Sequence, residues 1–274
     1  MFSRVYVEIT NICNMRCSFC HGHSRAPGRM DEQAFAHILA QLAGKTQHIY
    51  YHLMGEPLTH PLLPQFLRMA KQAGFQSVIT TNGTLLHSKG AALLEAGVHK
   101  FNISLHSFEN GSEKNLHSYV QQVADFAKQA AAAGVLVSLR LWNRGAEDTR
   151  NEGLLSALGE SFPQPWTKNN RGFRLQEQVY LEWDDRFGWP DMGAEDRGGQ
   201  VYCYGLKNHF GILCDGTVVP CCLDSDGVIA LGNIFSQPID EILSSPRACA
   251  MVTGFRNRTA PEPLCHRCDF ARKF

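Results

Sequence analysis

TNICNMRCSFCHG, residues 10–22, sets Cys13, Cys17 and Cys20 at the spacing C-x3-C-x2-C. Cysteine fills ten of 274 positions, so chance would place such a triple in about one chain in a hundred. A zinc knuckle is the plain structural reading, but it needs a fourth ligand, and only His21 or His23 stands nearby. Three thiolates on one loop suit a 4Fe-4S cluster with one iron left open. An open iron can coordinate a substrate or cofactor, as an open zinc position does in a catalytic site.

A β-rich run at residues 4–9 precedes this loop, and a helical one at 31–42 follows it, with Asp31 placed to cap and Phe35, Ile38, Leu39 and Leu42 on one stripe. The alternation continues through the first two thirds of the chain. Strands are expected at 48–53, 77–81, 100–105 and 135–142, with a sixth in 173–181. Helices are expected at 61–73, with Leu62, Phe66, Met69 and Ala73 inward, and at 85–96 and 118–133, closed by Gly74, Gly97 and Gly134. Such alternation predicts a parallel sheet with crossover helices. Five or six units fall short of the eight in a closed barrel, so the fold class is α/β, a partial (β/α)6 barrel with its chemistry on loops after the strands.

Near residue 185 the pattern breaks. Residues 177–196 carry seven acidic side chains against Arg186, and a run of glycines and Pro190 removes any period, which reads as a linker. The chain divides into a barrel, 1–195, and a small C-terminal cysteine-rich cluster-binding domain, 196–274. Within the latter, residues 210–213 and 217–220 flank Asp215-Gly216, a hairpin signal, and residues 239–243 resemble a short helix. Seven cysteines in so short a tail point to metal as its staple.

Lysine plus arginine equals aspartate plus glutamate at 26 each, so no whole-molecule field favours nucleic acid or anionic membrane as a partner. That balance hides an acidic linker and a basic tail. No apolar run approaches the ~18 residues of a spanning helix, and the opening MFSRVYVE has no apolar signal segment. A cytoplasmic location is expected, where cysteines serve better as metal ligands or catalysts than in disulfides.

CNMRCSFC resembles the signature of the radical S-adenosylmethionine (radical SAM) superfamily, including the aromatic Phe19 before the third cysteine. In that family S-adenosyl-L-methionine chelates the open iron through its amino and carboxylate groups, and one electron splits it into methionine and a 5'-deoxyadenosyl radical. The resemblance extends along the chain. Met54-Gly55-Glu56-Pro57 is similar to the family's GGEP element, which meets the methionine amino group through largely backbone oxygen; Met54 replaces its first glycine, which bears on loop shape. Thr80-Thr81-Asn82-Gly83 resembles the TNG segment, and residues 102–106 the strand that meets ribose and carboxylate, with Ser104 the contact and Arg140 a bidentate partner for the carboxylate. Each has a plain reading as well: Asn82-Gly83 is a common turn, Ser104 a common strand residue, and Arg140 a snorkelling side chain. Their joint placement near strand ends favours the functional one.

The tail resembles the SPASM/Twitch extension of these enzymes, which holds auxiliary iron-sulfur clusters. Seven cysteines are enough for two clusters, but Cys265-x2-Cys268 is the only pair of its kind, and six residues follow it. The shorter Twitch layout implies one auxiliary 4Fe-4S cluster on Cys203, Cys221, Cys265 and Cys268. Cys222 competes with Cys221, since neighbours on an extended segment face opposite ways. Cys214 and Cys249 read as small buried hydrophobes, and a four-cysteine zinc ribbon is the plain alternative for the terminal pair. The basic residues from Arg247 onward read as charge balance and a solvated tail.

The resemblance implies hydrogen abstraction from a peptide or small molecule, then oxidation or cross-linking with the auxiliary cluster as electron acceptor. It also implies a reducing donor of flavodoxin or ferredoxin type. A base is needed, and His52, His106 and Asp184 are candidates by position, none singled out. The alternatives are a glycyl-radical-enzyme activase, whose tail would differ, and an iron-sulfur or zinc protein for electron transfer or binding, in which residues 54–57 and 102–106 have no role.

Overall fold

The computed structural model describes residues 1–109, 112–146 and 150–273. Strands β1 (Arg4–Val7), β2 (His48–Tyr51), β3 (Gln76–Thr81), β4 (Lys100–Ser104) and β5 (Leu136–Arg144) lie side by side in parallel. Helices α1 (Glu32–Leu42), α2 (Leu63–Gln72), α3 (Leu86–Glu95) and α4 (Glu113–Ala132) make the crossovers. After α5 (Asn151–Ser161) come β6 (Thr167–Asn169), β7 (Gly172–Gln176) and β8 (Val179–Asp185). Then follow β9 (His209–Ile212), β10 (Thr217–Val219), β11 (Gly232–Asn233), α6 (Ile239–Leu243), α7 (Pro246–Arg256) and α8 (Pro263–His266). The sheet order is β11-β10-β9-β1-β2-β3-β4-β5-β8-β7-β6, a linear order with β11 and β6 at its ends. This is the expected α/β fold with a parallel core.

Successive strand side chains point to opposite faces, and the sequence uses the two faces differently. Val5, Val7, Ile49, Ile79, Phe101 and Leu139 are at most 2% exposed and join the core under the helices. Their neighbours Tyr6, Tyr50, His52, Thr80, Ser104 and Arg140 line a cavity on the concave side. A polar lumen within an apolar shell is thus built from simple alternation.

The expected elements hold with local corrections. Asp31 caps α1, accepting from the Ala34 N–H, and Phe35, Ile38, Leu39 and Leu42 are the buried stripe. In α2 the buried residues are Leu63, Phe66, Leu67 and Ala70; of the others expected inward, Leu62 and Met69 pack partly buried against the core and Ala73, past the last turn, is exposed. Helix α4 begins about one and a half turns before 118, where Ser112 accepts from the Asn115 N–H. The expected strand at 173–181 is two strands: Gln178, at φ 61, turns β7 back against β8, and only β8 pairs in parallel with β5.

The hairpin around Asp215-Gly216 forms, but it does not stand apart from the barrel. Strand β9 pairs in parallel with β1 from Arg4–His209 to Val7–Ile212, so the cysteine-rich tail continues the barrel sheet. Phe210, Ile212, Met251 and Phe255 belong to the same apolar core as the barrel.

Candidate active site

The cysteine loop leaves β1 through Glu8, whose side chain is buried. The Glu8 carboxylate accepts from both terminal nitrogens of Arg25, at 2.8 and 2.7 Å, from the Met54 N–H at 3.2 Å and from the Cys214 N–H at 3.1 Å. Arg25 Nε donates to the Ser225 carbonyl at 2.8 Å, and Ser24 donates through N–H and hydroxyl to Asp226. One carboxylate therefore ties the cysteine loop to the loop after β2 and to the tail.

Residues 54–57 sit against the same loop. Gly55 has φ 76, and a Cβ there would fall 2.4 Å from the Thr10 carbonyl oxygen, so only glycine permits this approach. The Glu56 N–H donates to the Ile12 carbonyl at 2.9 Å. The Glu56 carboxylate accepts from Leu58 N–H, Thr81 hydroxyl and Asn82 N–H, and burial pushes its pKa up to about 7. Asn82 donates to Asn14 at 2.9 Å and accepts from Thr84. Glu56 and Asn82 thus spend their side chains bracing neighbouring loops, which leaves the backbone of 54–56 as the surface a ligand can meet.

Cys13 and Cys20 are open to solvent and Cys17 is half-buried, donating to the Ser107 carbonyl at 3.6 Å. Burial pushes the Cys17 thiol up to about 12, with nearby Glu109, Cys20 and Cys13 adding to the shift. Phe19 packs on His106, with ring centroids 4.9 Å apart, and its carbonyl accepts from the Trp189 indole. Ser104 and Arg140 are register partners on β4 and β5, both facing the lumen. Arg140 lies over the Trp142 ring at 4.2 Å, and its buried Nε has no hydrogen-bond partner among the described residues.

The cavity holds about 1350 Å³. Ser18 and Phe19 form one wall, and Cys203, Cys221, Cys222 and Cys268 another. Cys221 lies near Cys222, Cys203 and Cys268, and Cys265 near Cys203 and Cys268, so that a charge on one disfavours ionisation of the next. Burial is the larger cause that raises the thiols of Cys203, Cys221, Cys265 and Cys268. Cys222 lines the same wall and also packs with Tyr6, Leu53 and Val219. Cys203, Cys221, Cys265 and Cys268 are thus electrostatic neighbours, and Cys222 shares Cys203 as a neighbour with Cys221.

Both cysteine sets fit an iron-sulfur cluster by donor chemistry: thiols only, three on the loop whose Ser18 and Phe19 line the cavity, and a neighbouring group in the tail. Among the described residues no three His, Cys, Asp or Glu side chains are close enough to share one ion. In a cubane each thiolate takes a different iron, so its ligands stand further apart.

The sequence matches the Radical SAM superfamily over residues 7–143, half of the chain. The chain belongs to the radical SAM superfamily. Residues 203–269 match an iron-sulfur cluster-binding domain, SPASM. A radical SAM enzyme with this domain uses S-adenosylmethionine, a 4Fe-4S cluster and auxiliary iron-sulfur chemistry. It shares 37% identity over 110 residues with GTP 3',8-cyclase of Chlorobaculum tepidum, a stretch covering 38% of this chain and 33% of the cyclase. With the S-adenosyl-L-methionine-dependent 2-deoxy-scyllo-inosamine dehydrogenase of Niallia circulans it shares 24% over 98% of this chain and 93% of that one. Among solved structures, BtrN with AdoMet and 2-DOIA superposes with a TM-score of 0.63 at 20% identity, covering 98% and 93% of the two chains. SuiB of Streptococcus suis bound to its precursor peptide gives 0.59 at 13%, covering 98% and 71%.

Within this radical SAM enzyme the three candidate bases differ. His52 lines the lumen, and burial with nearby Arg140 pushes its pKa down to about 4. His106 is bound through its ring to the Arg140 carbonyl at 3.0 Å, and burial lowers its pKa as well. Asp184 accepts from Lys273 at 2.9 Å. Cys249 is exposed on α7, contrary to its reading as a buried hydrophobe, because the helix buries Ala248, Met251 and Phe255 instead. Glu8 and Arg25 carry no motif; their only sequence signal is a charged residue at the end of an apolar strand. No described helix is long and apolar enough to cross a membrane.

Proposed function

We propose that this chain oxidises a small molecule by hydrogen abstraction, with the substrate held in the lumen between the cysteine loop and the tail cysteines. The observation that carries this is the single cavity whose walls include both Phe19 of the loop and Cys203, Cys221 and Cys268 of the tail. When bound, S-adenosylmethionine and the cluster on Cys13, Cys17 and Cys20 supply a 5'-deoxyadenosyl radical able to take hydrogen from an unactivated C–H bond. The backbone of residues 54–56 receives the methionine amino group, while Ser104 and Arg140 hold ribose and carboxylate. Gly55, Glu56 and Asn82 keep those loops in place. Cys203, Cys221, Cys265 and Cys268 hold one auxiliary cluster with every iron ligated, a set suited to electron transfer and not to substrate coordination. A donor of flavodoxin or ferredoxin type provides the electrons.

Support for a small-molecule oxidation comes from the Niallia circulans dehydrogenase, which is similar along nearly the whole of both chains. Cross-linking of a peptide is the second reading, favoured by the likeness in fold to peptide-bound SuiB. Anaerobic reconstitution with assay of iron and 5'-deoxyadenosine tests the proposal. About eight irons per chain and steady 5'-deoxyadenosine formation are expected; two intact clusters without product would sink it. Cys17→Ala should abolish cleavage, whereas Cys268→Ala should leave uncoupled cleavage and lose substrate turnover.

A further inference from the structure

At the end of the lumen opposite the cysteine loop, Arg4 opens β1 and lines the cavity, while Lys100 opens β4 outside the lining. Arg4 lies over the Tyr50 ring at 5.4 Å, and its guanidinium carries five N–H donors. Lys100 is within electrostatic range of Arg4, Arg140, Arg171 and Glu182. Neither Arg4 nor Lys100 takes part in an ion pair among the described residues. Glu182 is the carboxylate facing this group, 3.9 Å from Arg140 Nε. Among the other charges that line the cavity, Asp184 pairs with Lys273, Arg144 pairs with Asp185, Glu109 accepts from the Ser18 N–H, and Arg150, Lys168, Arg171 and Arg186 form no ion pair among the described residues. His52 and His209 remain neutral near pH 7, both pushed down to about 4 by burial and by nearby arginine. Arg4, Lys100 and Arg140 therefore face one carboxylate, Glu182, which already pairs with Arg140.

Partly buried positive charge without a counter-ion is costly, so the lumen is set up for ligands that bring negative charge. S-adenosylmethionine brings one carboxylate, and on the reading above it goes to Arg140. The cavity, at about 1350 Å³, exceeds the ~300 to 1,000 Å³ of a site for one small ligand. We infer that the substrate is a small anionic molecule whose carboxylate or phosphate group is held by Arg4, with Lys100 behind it. This rests on the proposed radical chemistry in the same lumen.

Calorimetric titration of the reconstituted, S-adenosylmethionine-saturated protein with inorganic phosphate, glutarate and myo-inositol tests the inference. Saturable binding of phosphate or glutarate but not inositol is expected, with a loss of about tenfold or more in Arg4→Gln. The stronger of the two probes tells phosphate from carboxylate. Probe binding that appears only when S-adenosylmethionine is omitted, or a loss under about twofold in Arg4→Gln, overturns the inference, since the anion is then bound at the methionine site or away from Arg4. Absence of saturable binding also overturns it. Should Arg4→Gln not fold, Lys100→Gln carries the same two outcomes. Production of 5'-deoxyadenosine without probe binding overturns the anion site alone, whereas probe binding without 5'-deoxyadenosine overturns the radical reading.

Discussion

Gly55 is where one atom decides a loop. A Cβ at φ 76 adds left-handed strain of about 1–2 kcal/mol, and it would also meet the Thr10 carbonyl at 2.4 Å, so the cysteine loop must move to admit it. Gly55→Ala should therefore weaken S-adenosylmethionine binding by about tenfold or more and alter the change in the cluster's electron paramagnetic resonance spectrum on adding it. A variant with wild-type affinity and spectrum would show that the approach at Gly55 does not set the site. The lumen histidines make a second residue-scale prediction. Folding holds the pKa of His209 down to about 4, so the unfolded chain binds more protons than the folded one between about pH 6.5 and 4. Stability from the neutral ring is full above about 6.5 and is lost as pH falls through 4. Urea midpoints of His209→Gln, measured against wild type at equal iron content, should gain on it as the pH drops across that window; a constant gap would contradict the assignment.

At the scale of elements, the Glu8 carboxylate joins four: β1, the cysteine loop, the loop after β2 and the β9–β10 hairpin. Glu8→Gln leaves the Arg25 guanidinium without its charge partner, at a cost of about 3–5 kcal/mol for a buried pair broken on one side. Glu8→Gln/Arg25→Met should recover a good part of that loss in urea unfolding, and additive losses would mean the two do not act as a pair. This staple marks the limit of what is legible in the sequence. The apolar stripe of α1 and its Asp31 cap were legible because both are local periodic signals. So was the cysteine spacing, because a cluster recruits neighbours along one loop. Helix α5 and the reversal at Gln178 were not, since residues 151–161 show weak amphipathic contrast and a positive φ at glutamine is forced by the packing of β7 on β8. Glu8 and Arg25 stayed hidden for a different reason: their partners lie up to 206 residues away in the chain.

For the whole molecule, the boundary expected at 195/196 runs through one sheet and one apolar core. Strand β9 pairs with β1 along its entire length, the Cys214 N–H completes Glu8, and Asp226 and Ser225 anchor the cysteine loop. The acidic linker is strapped to the basic tail as well, through Lys273 to Asp184 and Arg267 to Asp196. That pairing explains how opposite local charges coexist in a chain of no net charge, although exposed pairs of this kind add only about 0–1 kcal/mol each. The shared sheet and core hold the two halves together more strongly. Removing residues 196–274 uncovers the edge of β1 and the apolar side chains that Phe210, Ile212 and Phe255 cover, an exposed strand edge of the sort that aggregates. The fragment 1–195 should therefore lose cooperative unfolding and fail to assemble the cluster on Cys13, Cys17 and Cys20, and co-expression with 196–274 should restore both. The measurements are near-ultraviolet circular dichroism through a urea titration and iron per chain. A fragment that unfolds cooperatively with about four irons would establish the barrel as an independent unit and reduce the tail to an appended electron carrier.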